Sequence, residues 1–517
     1  MTDTATPWWR DAVVYQVYLR SFADSDGDGT GDLRGVIDHL DHLTDLGVDA
    51  LWLNPFYVSG EADAGYDVID HRAVDPALGT LDDVDELLRQ AHARGLRVVG
   101  DIVANHTSAH HPWFAAARRG GPGHPARARY HVAPGRDGGP PSDWQSLFGG
   151  PAWEPFGDGD WYLHLFDVEQ PDLDWSHPDV VADVERTVRF WLDRGFDGLR
   201  FDAAGALAKA PGYPPIPAGE RQPGDDHPFS DRPEVHRHHR RFAALIAERP
   251  GRFGVAETWG PAWVGEPYLR PDELQQAFAM DLVFTPLDAA ALGEAVRDYL
   301  AAAARHGRRP AWPHGNHDVT RAATRWGPDG ALAVLLLLLA LPGATYLYAG
   351  DELALPEVEI ADADLRDPTW RRSGGTERGR DGARVPLPWT HTAAGQHGFS
   401  PAGTSAPSWL PQPPGWGAHS VAAQRADPRS ALSAVRSALA ARAALRDAPN
   451  PVWLPAPEGV LAFRRGDVVC VLNTGAGPLA LNTWGSDVLA SSRTLDGGGR
   501  LAAPGTAWVR HGTGSVP

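Results

Sequence analysis

The stretch LDDVDELLRQAHARGLRVVGDIV, residues 81–103, decides the fold class. Its first part predicts a helix over Leu81–Arg94 that ends at Gly95, and its second part predicts a strand over Leu96–Val103. The apolar run Ala50–Leu53 predicts a buried strand just before them. A strand, a helix and a strand in this order are typical of a βαβ unit with parallel strands.

The same alternation extends along the chain in both directions. Apolar residues recur at spacings of three and four over Asp32–Leu46, which predicts an amphipathic helix. Further helices are predicted over Val180–Asp193 and Gly330–Leu341. The predicted strands are Val13–Val17, Ala50–Leu53, Leu96–Val103, Gly198–Asp202, Phe253–Ala256, Ala279–Phe284, Ala311–Pro313 and Thr345–Tyr348.

Eight strand runs with helices between them, in a chain of 517 residues, favour an α/β fold built on a (β/α)8 TIM barrel. A doubly wound open sheet is the alternative architecture. Its dinucleotide-binding fingerprint, G-x-G-x-x-G after the first strand, is missing from this sequence. The barrel is therefore the predicted fold.

Two segments interrupt the alternation. Residues 107–175 are rich in Gly, Pro and Trp and lack a clear period, which predicts a subdomain inserted after the third strand, and residues 361–414 resemble a long loop before a last helix, Ser430–Leu445. Short strands over Gly459–Phe463, Val468–Leu472 and Ala507–Val509 predict a terminal β domain, in which Cys470 is a buried thiol. The predicted domains are a barrel over 1–106 and 176–445, the insert over 107–175 and a β domain over 446–517.

The composition excludes several classes of function. Acidic residues outnumber basic ones 66 to 47, and the formal net charge is −19. A field of this sign repels phosphate, so neither a nucleic acid nor an anionic membrane is an expected partner. The longest apolar run, Ala331–Pro342, is shorter than the about 20 residues that span a bilayer. With one cysteine and no secretory signal in MTDTATPWWRD, we expect a cytoplasmic protein, as a monomer or a homodimer.

Acidic residues stand at or beside the ends of four predicted strands: Asp101, Asp202, Glu257 and Asp318. The C-terminal strand ends of a barrel form one face, where catalytic residues lie. Arg200 and Asp202 share one face of a strand, so we expect the guanidinium to keep the carboxyl ionised by lowering its pKa. The apolar neighbours of Glu257 predict a raised pKa and the role of a general acid. The competing interpretation is structural, with an ion pair at Arg200 and Asp202 and a helix cap at Glu257.

The sequence DSDGDGTGD, residues 24–32, predicts a cation-binding loop. Hard oxygen ligands recur at alternating positions, which suits calcium. The loop is not an EF-hand, because Gly35 stands at the twelfth position, where a bidentate Glu is needed. A solvated acidic turn is the alternative. The predicted ligands are the carboxylates of Asp24, Asp26, Asp28 and Asp32 and the carbonyl oxygen of Thr30.

Four motifs together resemble the signature regions of the α-amylase family of glycoside hydrolases: DIVANH (101–106), GLRFDAA (198–204), VAETW (255–259) and GNHD (315–318). Their order matches the third, fourth, fifth and seventh strands of that family's barrel. The opening WWRDAVVYQVYLRSFADSDGDGTGDLRGV (8–36) and the late RDGARVPLPW (380–389) resemble the α-glucosidase and oligo-1,6-glucosidase branch. The resemblance implies that the insert is a B domain and that the terminal domain is an antiparallel β-sandwich.

The resemblance also implies roles for individual residues. Asp202 would be the nucleophile, Glu257 the general acid/base, and Asp318 the residue that holds sugar hydroxyls and stabilises the transition state. A structural calcium ion, or magnesium, is implied away from the active site, with no organic cofactor. The residues implied to bind the glucose unit at the −1 subsite are Asp63, Tyr66, His106, Phe166, Arg200, His317 and Arg380.

The implied activity is that of an exo-acting retaining α-glucosidase acting on maltose-like oligosaccharides or other small α-glucosides. In this branch the residue after the nucleophile tracks linkage preference, and Ala203 predicts a preference for α-1,4 bonds. One alternative is a transglucosylase or isomerase of the sucrose isomerase or trehalose synthase type, although TRAATRWG (320–327) departs from the sucrose isomerase signature. The other is a non-catalytic, transporter-associated relative. All three acids are present, which disfavours it.

Overall fold

The computed structural model describes residues 6–216 and 227–511, so the outer ends of the predicted domain ranges and part of the predicted barrel lie outside the described residues. At the centre is one sheet of eight parallel strands. These strands are β1 Val13–Val17, β2 Ala50–Leu53, β3 Arg97–Val103, β4 Gly198–Asp202, β5 Phe253–Ala256, β6 Gln276–Ala277, β7 Ala311–Pro313 and β8 Ala344–Tyr348.

The strand order confirms the predicted barrel. Neighbours along the sheet run from β6 through β5, β4, β3, β2, β1 and β8 to β7. In register, Val14 of β1 stands opposite Ala50 of β2 and Tyr346 of β8. A parallel bridge between Phe278 and Ala311 joins the two ends of the sheet. The C-terminal ends of all eight strands therefore surround one opening.

The helices pack outside the strands. Thr80 begins the helix before β3 with a capping box, in which its side chain and that of Asp83 each accept from the other residue's backbone N–H. The helices of six or more residues are Leu33–Asp38, Leu40–Leu46, Leu81–Ala93, Pro112–Gly120, Pro178–Arg194, His236–Ala247, Ala289–Ala304, Ala322–Ala340 and Ala431–Ala441.

Two local predictions are wrong. The run Ala279–Phe284 is not the sixth strand: β6 comprises only Gln276 and Ala277, and Met280–Phe284 forms a 3-10 helix. The predicted helix Asp32–Leu46 is two helices that meet at His39, whose backbone leaves the helical conformation. Asp32 caps the first of them by accepting from the backbone N–H of Gly35.

One helix, Ala322–Ala340, is long and apolar enough by composition to cross a membrane, but two thirds of its most apolar window (67%) is buried inside the protein. It bends at Gly327, which adopts a non-helical conformation. The terminal domain packs on it, because Thr506 and Trp508 donate hydrogen bonds to the carbonyl oxygens of Ala333 and Leu336. This helix is therefore a core element between the barrel and the terminal domain.

Antiparallel sheets form the additions to the barrel. The insert carries a three-stranded sheet of Val132–Pro134, Trp153–Pro155 and Asp160–Leu163. The terminal domain pairs a two-stranded sheet with a five-stranded one, and an apolar cluster that includes Val471, Leu481 and Val509 lies between strands of both. The five strands are Val452–Leu454, Val460–Arg465, Val468–Asn473, Asp487–Ser491 and Gly505–Arg510, and the other two are Leu479–Ala480 and Arg500–Leu501.

Candidate active site

A single cavity of about 740 Å³ opens at the C-terminal ends of the barrel strands. Asp202 is the last residue of β4, Glu257 follows β5, and Asp318 lies five residues beyond β7. All three side chains line this cavity, so the structure brings together the acids that are far apart in the sequence. Of the predicted sugar-binding residues, Asp63, Tyr66, His106, Phe166, Ala203, His317 and Arg380 line it as well.

Arg200 lies beneath the cavity and is completely buried. Its Nη1 donates hydrogen bonds to Asp202 Oδ1 at 2.6 Å and to Asp101 Oδ1 at 2.8 Å. Its Nη2 lies 2.5 Å from Glu257 Oε1, without a well-aligned hydrogen bond. One guanidinium therefore contacts three carboxyl groups, two of which are the predicted nucleophile and general acid.

The three buried carboxyls share one positive charge, which raises the cost of ionising all of them together. Burial raises the pKa of Asp202 and that of Glu257 to about 7, and Arg200 opposes both shifts. Arg200 lowers the pKa of Asp202 as predicted, but the net result differs from the prediction, because burial outweighs Arg200 and the pKa is raised. Arg200 donates one aligned hydrogen bond to Asp202 and none to Glu257, which favours the negative charge on Asp202 and the proton on Glu257.

Arg380 joins three acids on one side of the cavity. Its Nη2 donates to Asp63 Oδ1 at 2.7 Å, its Nη1 to Asp318 Oδ1 at 2.9 Å and its Nε to Asp367 Oδ2 at 2.6 Å. Burial alone would raise the pKa of Asp318, but His317, Arg380 and Arg384 outweigh it and hold the pKa below its usual range. The loops that follow β2, β7 and β8 thus form one continuous wall with an ionised Asp318.

Aromatic and imidazole rings form another part of the lining. The ring of Tyr66 stacks on His317, with centroids 5.1 Å apart and an interplanar angle of 11°. The ring centroids of His106 and Phe166 are 5.0 Å apart. Burial lowers the pKa of His106 to about 4, so this imidazole is neutral at pH 7, with one N–H donor and one acceptor nitrogen.

Ala203 connects the nucleophile to the general acid. It follows Asp202 and adopts a left-handed conformation, with φ 44° and ψ 45°. In this conformation its backbone N–H donates to Glu257 Oε2 at 2.8 Å. A non-glycine residue at positive φ is uncommon and strained, and such strain is concentrated at functional sites. The turn after β4 therefore orients the carboxyl that β5 supplies.

Several lining residues carry no motif that would have identified them. The insert supplies Leu147 to the lining, and its buried Gln170 supports the lining from outside by donating to Asp63 Oδ2 at 3.2 Å. Phe284 belongs to the segment that was predicted as a buried strand. The side chains of Leu147 and Phe284 both line the cavity and are 61% and 60% exposed. Large exposed apolar side chains in this position give the cavity an apolar mouth.

The predicted cation loop lies apart from this cavity. Carboxylate oxygens of Asp24, Asp26 and Asp28 approach within 4.8 Å of one another, a spacing at which they could hold one ion. Both carboxylate oxygens of Asp32 are engaged by backbone N–H groups, those of Gly35 and Ser25. The backbone N–H of Thr30 donates to Asp28 at 2.7 Å. Three of the five predicted ligands thus converge in this structure.

Comparison with known proteins identifies relatives over most of the chain. A family model described as "Alpha amylase, catalytic domain" matches residues 16–448. A probable α-glucosidase of Rhizobium meliloti is 38% identical, over 84% of this chain and 83% of its own. An oligo-1,6-glucosidase of Parageobacillus thermoglucosidasius is 35% identical, over 82% of this chain and 81% of its own. A trehalose-6-phosphate hydrolase of Escherichia coli is 36% identical, over 74% of this chain and 75% of its own.

Solved structures agree with this assignment. The α-glucosyl transfer enzyme XgtA superimposes with a TM-score of 0.86 and 38% identity, over 98% of this chain and 100% of its own. A variant of the trehalulose synthase MutB has a TM-score of 0.87 and 28% identity, over 98% of this chain and 100% of its own. With three predicted catalytic acids around one cavity and a family model over most of its length, this chain belongs to the α-amylase family of glycoside hydrolases.

Proposed function

We propose that this protein is an exo-acting retaining α-glucosidase that cleaves terminal α-glucosidic bonds of small, uncharged α-glucosides. The observation that carries the proposal is the pair Asp202 and Glu257 on one guanidinium, of which only Asp202 receives an aligned hydrogen bond from it. Retaining glycosidases need one ionised carboxylate as nucleophile and one protonated carboxyl as general acid, with the two groups roughly 5–5.5 Å apart.

In the proposed reaction, Asp202 attacks the anomeric carbon while Glu257 protonates the leaving glycosidic oxygen. The covalent glucosyl–Asp202 intermediate is then hydrolysed by water, whose proton Glu257 accepts. Asp318, Asp63 and Arg380 would hold the sugar hydroxyls. The ion-paired wall that Arg380 builds closes the cavity on that side, which favours release of one terminal glucose unit.

The test follows the anomer that is formed first. Maltose and 4-nitrophenyl α-glucoside are incubated with the protein, and proton NMR is recorded before mutarotation. We expect glucose release from both compounds, with α-glucose as the initial product from 4-nitrophenyl α-glucoside, whose only glucose comes from the cleaved bond. Initial β-glucose from the aryl glucoside would contradict the retaining mechanism, and the absence of glucose release from either compound would contradict the proposed function.

Glucosyl transfer is a second candidate function, favoured by the apolar mouth. Leu147 and Phe284 form an apolar surface at the mouth of the cavity. An organic alcohol that accepts the glucosyl group can bury its apolar part there, whereas water gains nothing from this contact. The solved structure of an α-glucosyl transfer enzyme is among the similar ones. Product analysis distinguishes the two activities, since hydrolysis yields free glucose and transfer yields new glucosides when an alcohol is added.

Linkage preference is expected to depend on Ala203. Ala203→Val would place a β-branched side chain at positive φ, which is strained, and would add bulk beside the scissile bond. We expect the ratio of kcat/KM for maltose to that for isomaltose to fall about tenfold or more, the equivalent of about 1.4 kcal/mol. The matched control is Ala203→Gly, which adds no bulk and accepts this conformation, and should retain the preference. An unchanged ratio in the valine variant would remove Ala203 from this role.

Phosphorylated substrates are expected to be poor. Among the described residues that line the cavity, Arg380 is the one arginine or lysine, and it is already paired with three acids. Asp231 and Asp281 add further negative charge to the lining. A phosphate carries about −1.5 to −2 charges at pH 7. We expect kcat/KM for trehalose-6-phosphate to be at least tenfold below that for trehalose, and a preference for the phosphate would contradict this charge argument.

We further propose that Asp24, Asp26 and Asp28 bind one calcium ion, or magnesium, with Thr30 and Asp32 completing the site. The loop is tied to residues 399–409, since Asp24 N–H donates to Phe399 O and Trp409 N–H donates to Gly29 O. None of these acids lines the cavity. An ion here would therefore stabilise the fold and take no part in the chemistry.

Removal of the ion is expected to lower the melting temperature more than the activity at 25 °C. A ligand present at 100 times its Kd stabilises the folded state by about 2.7 kcal/mol. Calorimetry before and after EDTA, and after adding back CaCl2 or MgCl2, measures the effect. Asp26→Asn should reduce the response to calcium. Loss of activity at unchanged stability would contradict a purely structural ion.

A cytoplasmic location stays a prediction. The single cysteine, Cys470, is buried, so the chain forms no internal disulfide and suits a reducing compartment. Fractionation of cells of the source organism, with activity measured in each fraction, tests it.

A further inference from the structure

Lys209 is the only lysine in the sequence, and the other basic residues are all arginine. It lies seven residues after Asp202, and its side chain is completely buried. The proposed reaction does not use it. A buried charge is costly unless it is paired and hydrogen-bonded, so its contacts deserve an explanation.

The ammonium group of Lys209 meets three oxygen acceptors. Its Nζ donates to Asn105 Oδ1 at 2.7 Å and to the carbonyl oxygen of Ala206 at 2.5 Å, and it lies 2.6 Å from Asp172 Oδ2. These acceptors come from the end of β3, from the turn after the nucleophile and from the end of the insert. An ammonium group suits such convergent acceptors, whereas the planar guanidinium fork of arginine does not.

Asn105 in turn contacts His106, one of the predicted sugar-binding residues. Because Asn105 Oδ1 faces the ammonium group, Asn105 Nδ2 faces His106 Nδ1, at 3.3 Å. With the amide in this orientation, this nitrogen of the neutral imidazole accepts a hydrogen bond, and the proton lies on Nε2, which is 3.1 Å from the carbonyl oxygen of Tyr66. Gln170 Nε2 is also 3.1 Å from His106 Nε2, but it donates an N–H to Asp63 Oδ2. Without the positive charge, the amide of Asn105 could rotate and the orientation of the His106 ring would be lost.

We propose that Lys209 is a positioning residue that acts through Asn105 to fix the ring orientation and tautomer of His106 in the cavity. The inference rests on the proposed function, because it assumes that His106 contacts the bound glucose unit. Lys209 also holds Ala206, another residue of the cavity lining, by its carbonyl oxygen. A purely structural role would instead be limited to closing the insert onto the barrel through Asp172.

A double-mutant cycle tests the proposal. Lys209→Met, His106→Ala and the double variant are compared by kcat/KM for 4-nitrophenyl α-glucoside. We expect Lys209→Met to lose about 10–100-fold, since small displacements of positioned groups have effects of this size. In the His106→Ala background the same substitution should cost less than threefold, because the residue through which Lys209 acts is gone.

Arg442→Met is the matched control. Arg442 is also a buried cation that donates to backbone carbonyl oxygens, those of Leu339, Asp11 and Gly343, but it does not line the cavity. This variant should lower the melting temperature and leave kcat/KM within twofold. If Lys209→Met behaves like Arg442→Met, or if its loss is the same with and without His106, the proposal is wrong. An inactive wild-type protein would instead contradict the proposed function.

A second measurement does not depend on the variants folding. Because the chain contains one lysine, [13Cε]lysine labelling of the wild-type protein gives one lysine NMR signal. We expect saturation with the glucose analogue 1-deoxynojirimycin to move this signal, because ligand contact with His106 changes the hydrogen bond that Asn105 relays. An unmoved signal, while tryptophan fluorescence reports that the analogue is bound, would overturn the proposal.

Discussion

Replacing Asp202 by Asn is expected to reduce kcat by about 10³-fold or more and to leave the fold intact. The carboxylate forms the covalent bond to the sugar in the proposed reaction, and the amide of asparagine is a far weaker nucleophile. Asparagine has the same shape and can still accept the hydrogen bond that Arg200 donates to Oδ1 at 2.6 Å. Single-turnover kinetics with 4-nitrophenyl α-glucoside measure the loss directly.

Asp197→Asn is the control for this substitution. Asp197 precedes β4, whereas Asp202 ends it, so the two acids lie at opposite ends of one strand. Asp197 is also fully buried, and it pairs with His92, Arg97 and Arg252. Residues at this end of a barrel serve stability, so its loss should lower the melting temperature at nearly normal kcat. Near-normal turnover of Asp202→Asn would remove Asp202 from the role of nucleophile.

Apolar patterning was sufficient to predict the barrel but not every strand. Seven of the eight barrel strands overlap the predicted runs, because each buried strand is a nearly continuous apolar stretch. The sixth strand has only two residues, and Gln276 begins it. The more apolar run next to it, Ala279–Phe284, forms a 3-10 helix that carries Phe284 to the mouth of the cavity. A short apolar run alone does not distinguish these two outcomes.

The catalytic acids were predictable because a barrel brings its strand ends together, so position in a strand is enough to locate Asp202 and Glu257. The pKa of Asp202 could not be predicted in the same way. It depends first on burial and then on how many carboxyls share Arg200, and both are set by contacts between strands. The contributions of Gln170 and Leu147 to the site could not be predicted from the sequence either. Their positions depend on the path of the insert, which has no periodic pattern to interpret.

Glu257→Gln is expected to abolish the alkaline limb of the pH profile and to lower kcat/KM for maltose by about 10²–10⁴-fold. Burial raises the pKa of Glu257 to about 7, so its proton is present below that pH and is lost as the pH rises. Wild-type kcat/KM should therefore fall as the pH rises through about 7. The apparent value belongs to the coupled set of Asp101, Asp202 and Glu257 rather than to one residue. Glutamine has no proton to lose, so the residual activity should not decline there.

The leaving group separates general acid catalysis from other roles of Glu257. A 4-nitrophenolate departs with little help from a proton, whereas the sugar oxygen of maltose needs one, so Glu257→Gln should affect cleavage of the aryl bond much less than that of maltose. Glu273→Gln is the control, because Glu273 is a buried acid that pairs with His236 and does not line the cavity. Its pH profile should match that of the wild type. Equal losses on both substrates in Glu257→Gln would mean that Glu257 holds the sugar or Ala203 in place and donates no proton.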